Sequence, residues 1–111
     1  TKLVVNTFKI KLFSILGFAP RQDKCSNCSK PLLESNDSSV YYDYSNNTFL
    51  CEECKLMVDS KSRIQISKAT YNAILFVIRS DFKKIFSFEL KSYVDFELFG
   101  QVFTDSIISG L

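Results

Sequence analysis

All four cysteines of the chain fall into two C-x-x-C pairs, Cys25-Ser26-Asn27-Cys28 and Cys51-Glu52-Glu53-Cys54, with twenty-two residues between them. No other feature restricts the fold as much. A tight turn of this spacing presents two sulfurs to one metal about 2.3 Å away, and the intervening loop brings the second pair round to close a tetrahedron. The chain contains no histidine, and four thiolates leave no coordination position open to water or substrate. The spacing therefore predicts one structural Zn²⁺ held by Cys25, Cys28, Cys51 and Cys54. Disulfides are the remaining alternative; they require an oxidising compartment, and the sequence carries no convincing secretion signal. A thioredoxin-like redox motif gives no reason for a second pair, and inert buried thiols have no reason to pair at all.

Composition sets the size of what surrounds this site. With 111 residues, 46% of them hydrophobic and including eleven Phe and five Tyr, the chain can build the core of a single domain. Its net charge of +2 is too balanced to mark a nucleic-acid binder. The distribution is more telling: residues 1–33 carry six basic and one acidic group, residues 34–60 the reverse, and residues 61–88 again six and one. Lys2, Lys9, Arg21 and Lys24, with Lys61, Arg63, Lys83 and Lys84, are the candidate phosphate contacts. Lys24, Lys30 and Lys55 adjoin the cysteines and can offset the charge of a four-thiolate zinc site. The longest wholly apolar run, Ala73 to Ile78, is far short of the roughly 18 residues of a membrane span. The absence of an initiator Met before Thr1 leads us to expect a fragment of a longer protein.

In chain order, residues 3–16 read as an amphipathic helix. Val4, Val5, Phe8, Leu12, Ile15 and Leu16 form its apolar stripe, flanked by Lys2 and Lys9 on one side and Lys11 on the other. Phe8 and Leu12, mid-stripe, are expected to face the core. Ile10 and Phe13 lie off the stripe and are the candidate interface, either covered by later helices or docking an upstream domain or partner. Gly17 and Pro20 end the helix. Val40–Tyr44 and Thr48–Leu50 read as a hairpin turning at Asn46-Asn47 and ending on the second cysteine pair. Its aromatic residues are read as packing rather than a base-stacking platform. A short helix is expected from Glu52 to about Val58, the carboxylates at its start being helix-end charges rather than a catalytic pair. Ser67 predicts an N-cap for a deeply buried helix over Lys68 to about Ser80. A turn or short helix follows over 81–88, and a last helix from Phe88 or Glu89 to about Ser109. The fold class is thus mainly α with a small β-hairpin zinc module packed on a helical bundle: a leading helix over 1–19, a four-cysteine zinc module over 20–58 and C-terminal helices over 67–111.

Taken together, Phe8, Leu12, Phe13, Leu16, Gly17, Pro20 and Asp23, then Tyr44-Ser45 and Leu50-Cys51-Glu52-Glu53-Cys54, resemble the C-terminal zinc domain of the bacterial recombination mediator family RecO. The resemblance spans most of the chain. Ser29 stands where the family has Gly after the first knuckle, and Asn46-Asn47-Thr48 replaces the expected Gly-Gly; Asn tolerates left-handed backbone, so that turn can survive. The resemblance implies a non-enzymatic repair factor of the bacterial cytoplasm and nucleoid. Its implied partners are single-stranded DNA, single-strand DNA-binding protein and RecR, in support of RecA loading. It also implies an oligonucleotide-binding domain N-terminal to this region, which these residues do not contain. The family's zinc fold is similar to that of Arf GTPase-activating proteins, but no arginine here is marked as a catalytic finger. Two other classes stand beside it: a zinc-ribbon-type RNA- or DNA-binding module of the transcription or translation machinery, and, more remotely, a thiol enzyme.

Overall fold

Aromatic and β-branched residues concentrate at Ser39–Asp43, and this segment forms the central strand β1 of an antiparallel sheet. It pairs with β2, Thr48–Leu50, on one side and with β3, Arg63–Ser67, on the other, giving the order β2-β1-β3. Tyr42 lies opposite Phe49 on β2 and Ile64 on β3. The computed structural model describes residues 2–20, 23–34 and 36–110, with Lys2 described by its backbone alone. The sheet corrects the two-stranded hairpin expected from the sequence. Ile64 and Ile66 alternate with polar neighbours, a short period-2 signal in an otherwise polar stretch, and they complete the third strand.

The β1–β2 turn is closed by side chains. The Asp43 carboxylate is buried and accepts from the Ser45 backbone N–H (3.0 Å), the Ser45 hydroxyl (2.6 Å) and the Asn46 amide (2.7 Å). Asn47 takes a left-handed conformation, φ 55°, as Asn does more readily than other non-glycine residues. Its side chain accepts from the Tyr42 hydroxyl (2.6 Å) and donates to the Phe18 carbonyl (2.8 Å). One residue thereby shapes the hairpin, satisfies a buried phenol and ties down the end of the first helix.

Of three helices, α2 (Lys68–Arg79) and α3 (Val94–Gly110) pack on the sheet, and α1 (Lys2–Phe13) packs on those two helices. α1 runs into a wider, π-type turn over Ser14–Phe18, broken by Gly17 at φ 96°. The last residue of β3, Ser67, is also the N-cap of α2, its hydroxyl accepting from the Thr70 N–H at 3.1 Å. The Ser67 N–H donates to Asp95 of α3 at 2.9 Å. The other end of α2 is met by Lys11, which is buried and donates to the Ile78 carbonyl at 2.9 Å, a cation placed where the helix dipole favours one. α3 begins at Val94 rather than at Phe88 or Glu89. The Leu90 N–H donates to the Tyr93 hydroxyl and the Phe88 ring packs on Phe96 and Phe76, so 88–93 is a folded loop.

An aromatic cluster joins the layers. Tyr42 and Phe49 of the sheet meet Phe99 of α3 at 4.7 and 5.9 Å between ring centroids, Phe49 meets Tyr71 of α2 at 4.9 Å, and Phe99 stacks on Phe103. These rings are buried, so they act as core, each contact adding about 0.5–1.5 kcal/mol beyond area burial. α1 crosses α3 closely at Gly100, where an added Cβ would lie 2.8 Å from Asn6 Cβ.

The orientation of α1 reverses the expectation. Ile10 is fully buried and Phe13 packs edge-on against Phe18 and Phe103, whereas Phe8 and Leu12 are 47% and 36% exposed. Ile10 and Phe13 are therefore core contacts of this chain. The rotation is set by what α1 must meet: Thr7, Ile10 and Lys11 turn inward together, Lys11 to reach α2. Among the described residues no helix is long and apolar enough to cross a membrane.

Candidate metal centre

The first cysteine pair sits on a turn held almost wholly by its own backbone. The Cys25 N–H donates to the Lys30 carbonyl (2.9 Å), the Ser29 N–H to the Cys25 carbonyl (2.9 Å), and the Leu32 N–H to the Asp23 carbonyl (2.9 Å). Ser29 adopts φ 66°, which accounts for the glycine that the resemblance leads one to expect there. The second pair follows directly from β2. Its turn is closed by the Cys54 N–H on the Cys51 carbonyl (3.2 Å) and continues into a single 3₁₀ turn, Lys55–Met57. This replaces the helix expected to run from Glu52 to Val58. The Ser26 N–H donates to the Phe49 carbonyl at 3.0 Å, so the two knuckles are joined through the edge of the sheet.

The four Sγ atoms of Cys25, Cys28, Cys51 and Cys54 all lie within 4.8 Å of one another. Cys28 and Cys51 are 3.8 Å apart, and the edge of a tetrahedron with 2.3 Å metal–sulfur bonds is about 3.8 Å. All four cysteines are free thiols, so the disulfide alternative is not realised here. Cys25, Cys51 and Cys54 are buried, and Cys28 stands at the rim. Four cysteine sulfurs converging on one point can hold a metal ion.

The electrostatics of the cluster favour a cation. Burial disfavours charge on Cys25, but the N–H groups of Cys28, Cys51 and Asn27 more than offset it and hold its thiol at about 7. Burial pushes the Cys51 thiol up to about 12. Cys54 is drawn down by the Asn27 amide and raised by burial and the neighbouring thiols, with a net shift upward. Four thiolates do not coexist in such a space without a positive ion among them. The Asn27 side chain donates to the Cys54 sulfur at 3.2 Å, the kind of outer hydrogen bond that orients a ligand.

The surrounding charges are organised around carboxylates. Lys30 bridges Glu53 (3.2 Å) and Asp37 (3.3 Å), pinning one knuckle to the other, and those partners raise its pKa, Glu53 most. Lys55 approaches Glu52 at 4.0 Å and lies over the Tyr41 ring, 5.2 Å from its centroid. Glu52 and Glu53 thus both have ionic partners. The first knuckle is anchored to α2, where Tyr71 accepts from the Asp23 N–H at 3.0 Å and Arg79 pairs with the Asp23 carboxylate.

The basic residues singled out by sequence are divided. Lys83 and Lys84 are exposed on the single turn Phe82–Lys84, whose Phe82 ring meets Phe8 of α1, and Lys9 is the next residue on that helix. Lys24 is exposed at the first knuckle and Lys61 before β3. Arg63 donates to the Val58 carbonyl at 2.6 Å, a bond internal to the fold. Arg21 and the side chain of Lys2 lie outside the described residues. Sequence reasoning passed over Asn27, Asp37 and Tyr71; Asn27, between the first two cysteines, carried the clearest signal.

Residues 1–100 match the family model described as Recombination protein O C terminal. The chain is similar to the DNA repair protein RecO of Acetivibrio thermocellus, 30% identical over 95 residues that cover 86% of this chain and 36% of that protein. It is likewise similar to RecO of Clostridium perfringens strain SM101, 31% identical over 98 residues, covering 88% and 40%. A third relative, RecO of Caldicellulosiruptor saccharolyticus, is 30% identical over 82 residues, covering 74% and 30%. The chain therefore spans well under half the length of these curated relatives. No solved structure matches it significantly.

Proposed function

Because the chain belongs to the RecO family, we propose that it is the zinc-stapled part of a DNA repair and recombination mediator, a platform for partners with no catalytic chemistry of its own. The observation that carries this reading is the closed set of four converging cysteine sulfurs in a chain without histidine. With Zn²⁺ bound, Cys25, Cys28, Cys51 and Cys54 complete its coordination, and the ion stabilises the fold rather than acting on a substrate. Asn27 orients Cys54, while Lys30 and Lys55 temper the local negative charge through Glu53, Asp37 and Glu52.

The platform reading assigns protein contacts to the helical side, with RecR and single-strand DNA-binding protein as the partners proposed from the family. Single-stranded DNA is proposed as an auxiliary ligand of the exposed Lys83 and Lys84 and the half-buried Lys9 foremost, with Lys2, Arg21, Lys24, Lys61 and Arg63 as further members of the set. Such contacts neutralise phosphates and read no bases, so binding is indifferent to sequence and weakens steeply with salt. The test combines metal analysis of the purified chain with capture of RecR, single-strand DNA-binding protein and single-stranded DNA at rising salt. Equimolar zinc, capture of a protein partner and salt-sensitive DNA binding are expected. Sequence-specific, salt-resistant RNA or DNA binding without any protein partner would instead favour a zinc-ribbon reader.

A further inference from the structure

The two outer edges of the sheet differ. At β2 the Phe49 carbonyl accepts the Ser26 N–H, so the first knuckle covers that side. At β3 the register fixes where each backbone group points. The Tyr44 N–H donates to the Ser62 carbonyl at 3.0 Å, and this pair continues the ladder one step beyond Asp43 and Arg63. Hydrogen-bonded pairs alternate along an antiparallel ladder, so Ile64 and Ile66 bond to β1, while Arg63, Gln65 and Ser67 turn their backbone groups outward. Asp95 takes the Ser67 N–H at 2.9 Å. The backbone N–H and C=O of Arg63 and Gln65 have no partner among the described residues, and Gln65 is exposed. An edge of this kind is a template for another strand.

The flank of this edge defines what it accepts. Asp95, Leu98, Val102 and Ser106 recur at i, i+3, i+7 and i+11 and share one side of α3. Both ends of the row are tied to the sheet, Asp95 to the Ser67 N–H and Ser106 to the Tyr44 carbonyl at 2.8 Å. Between them Leu98 is 44% exposed, an apolar side chain bordering β3. At the Arg63 end of the strand, Ile64, Val102 and the exposed Asp105 line one cavity of about 530 Å³. α3 carries three carboxylates, Asp95, Glu97 and Asp105, and no basic residue, so this side repels phosphates and favours a cation. Arg63 does not offset it, because its side chain lies on the opposite face and is held on the Val58 carbonyl.

We propose that the β3 edge docks an extended, basic segment of a partner protein, which adds to the sheet as a fourth strand antiparallel to β3. Its main chain pairs with the outward groups of Arg63 and Gln65. Its side chains on the α3 face are apolar beside Ile66 and Leu98 and cationic where they reach Asp105; those on the other face are polar, beside Arg63 and Gln65. Strand register makes these demands alternate, one residue to each face. A second copy fits less well, since pairing two β3 edges would bring a second carboxylate-bearing α3 alongside the first. The proposal rests on the platform reading only for the existence of a protein partner; metal analysis and partner capture can succeed while strand addition fails.

The test titrates the zinc-loaded protein into a fluorescent hexapeptide amide with threonine at its first, third and fifth positions, valine at the second and fourth, and lysine at the sixth. Laid antiparallel from Ser67 to Ser62, its third and fifth residues meet Gln65 and Arg63, and its lysine is on the side of Asp105. Saturable binding is expected, with amide exchange at Arg63 and Gln65 slowed about tenfold. Glutamate in place of the lysine, or N-methylation of the third and fifth residues, should weaken binding about tenfold or more. In Asp105→Lys, a change at an exposed position, the preference should reverse in favour of the glutamate peptide. The proposal is overturned if the lysine peptide does not bind, if the N-methylated or glutamate peptide binds the parent protein equally well, or if binding leaves the Arg63 and Gln65 amides unprotected. An Asp105→Lys protein that folds and still prefers the lysine peptide also overturns it. Protection of those amides that grows with protein concentration alone assigns the edge to a second copy and overturns it too.

Discussion

Asn47→Gly separates two accounts of the β1–β2 turn by the sign of one number. If the residue matters only for its left-handed backbone, glycine is the better occupant and the variant gains a few tenths of a kcal/mol. The structure adds two hydrogen bonds that glycine cannot make. Tyr42 is fully buried and its hydroxyl donates to the Asn47 side chain at 2.6 Å; leaving that donor unsatisfied costs about 1–3 kcal/mol. The bond to the Phe18 carbonyl at 2.8 Å is exposed, and water replaces most of it, so its loss adds about 0.5 kcal/mol. The net expectation is a destabilisation of roughly 1–3 kcal/mol, or about 4–13 °C in Tm for a domain of this size. Denaturant unfolding of the metal-loaded chain measures it, with Tyr42→Phe as the second arm. Removing the hydroxyl abolishes the need for its acceptor, so Asn47→Gly in the Tyr42→Phe background should cost less than half as much. An Asn47→Gly chain as stable as the parent, or a loss undiminished in the Tyr42→Phe background, refutes the reasoning.

Removing the metal with a chelator, or replacing Cys51 by Ser, should unfold at least the two knuckles, because structural zinc contributes about 10–16 kcal/mol in finger peptides; loss of amide protection at Cys25–Lys30 and Cys51–Met57 reports it, and an intact metal-free fold in reducing buffer rejects the assignment. Gly100→Ala gains about 1 kcal/mol of helix propensity but drives a Cβ to 2.8 Å from Asn6 Cβ, an overpacking worth about 1–3 kcal/mol. A net loss on the order of 1 kcal/mol is expected by chemical denaturation, and a net gain would show that α1 and α3 can part freely. Tyr71 is held protonated to about 12 by burial, partly opposed by the Asp23 N–H, and burial raises Tyr42 as well. Their folded pKa values exceed the unfolded value of about 10, so this stability is intact below pH 10 and falls by about 1.4 kcal/mol per tyrosine per unit above it. Absorbance titration should find these two ionising only as the chain unfolds.

The site was far more legible in the sequence than the packing. Two C-x-x-C pairs marked the four sulfurs that converge, because the turn that brings two sulfurs together is local. The Ser67 cap and the helix it starts were equally visible, since cap and first turn lie within four residues. What stayed hidden depends on partners distant in the chain. Ile64 and Ile66 make a strand only because β1 already offers an open edge. Lys11 gave no sign that it would be buried, because its acceptor, the Ile78 carbonyl, is 67 residues away. With Lys11 drawn inward, Ile10 follows, and the stripe that periodicity marked as core is turned outward. An average over a helix face locates apolar residues without saying which side meets the rest of the molecule.

The junction at Ser67 has a consequence for how this chain tolerates change. Between β3 and α2 there is no loop residue: Arg63–Ser67 is strand and Lys68–Arg79 is helix. One residue inserted there would turn α2 by about 100° about its axis. Tyr71 would leave the Asp23 N–H and the ring of Phe49, and Arg79 would leave the Asp23 carboxylate, so the first knuckle would lose its anchors without any cysteine being touched. An insertion of the same length between the first knuckle and β1 merely lengthens a surface connection, at a closure cost of well under 1 kcal/mol. Length variation in proteins of this build should therefore collect between the knuckles and stop at the serine that ends the sheet.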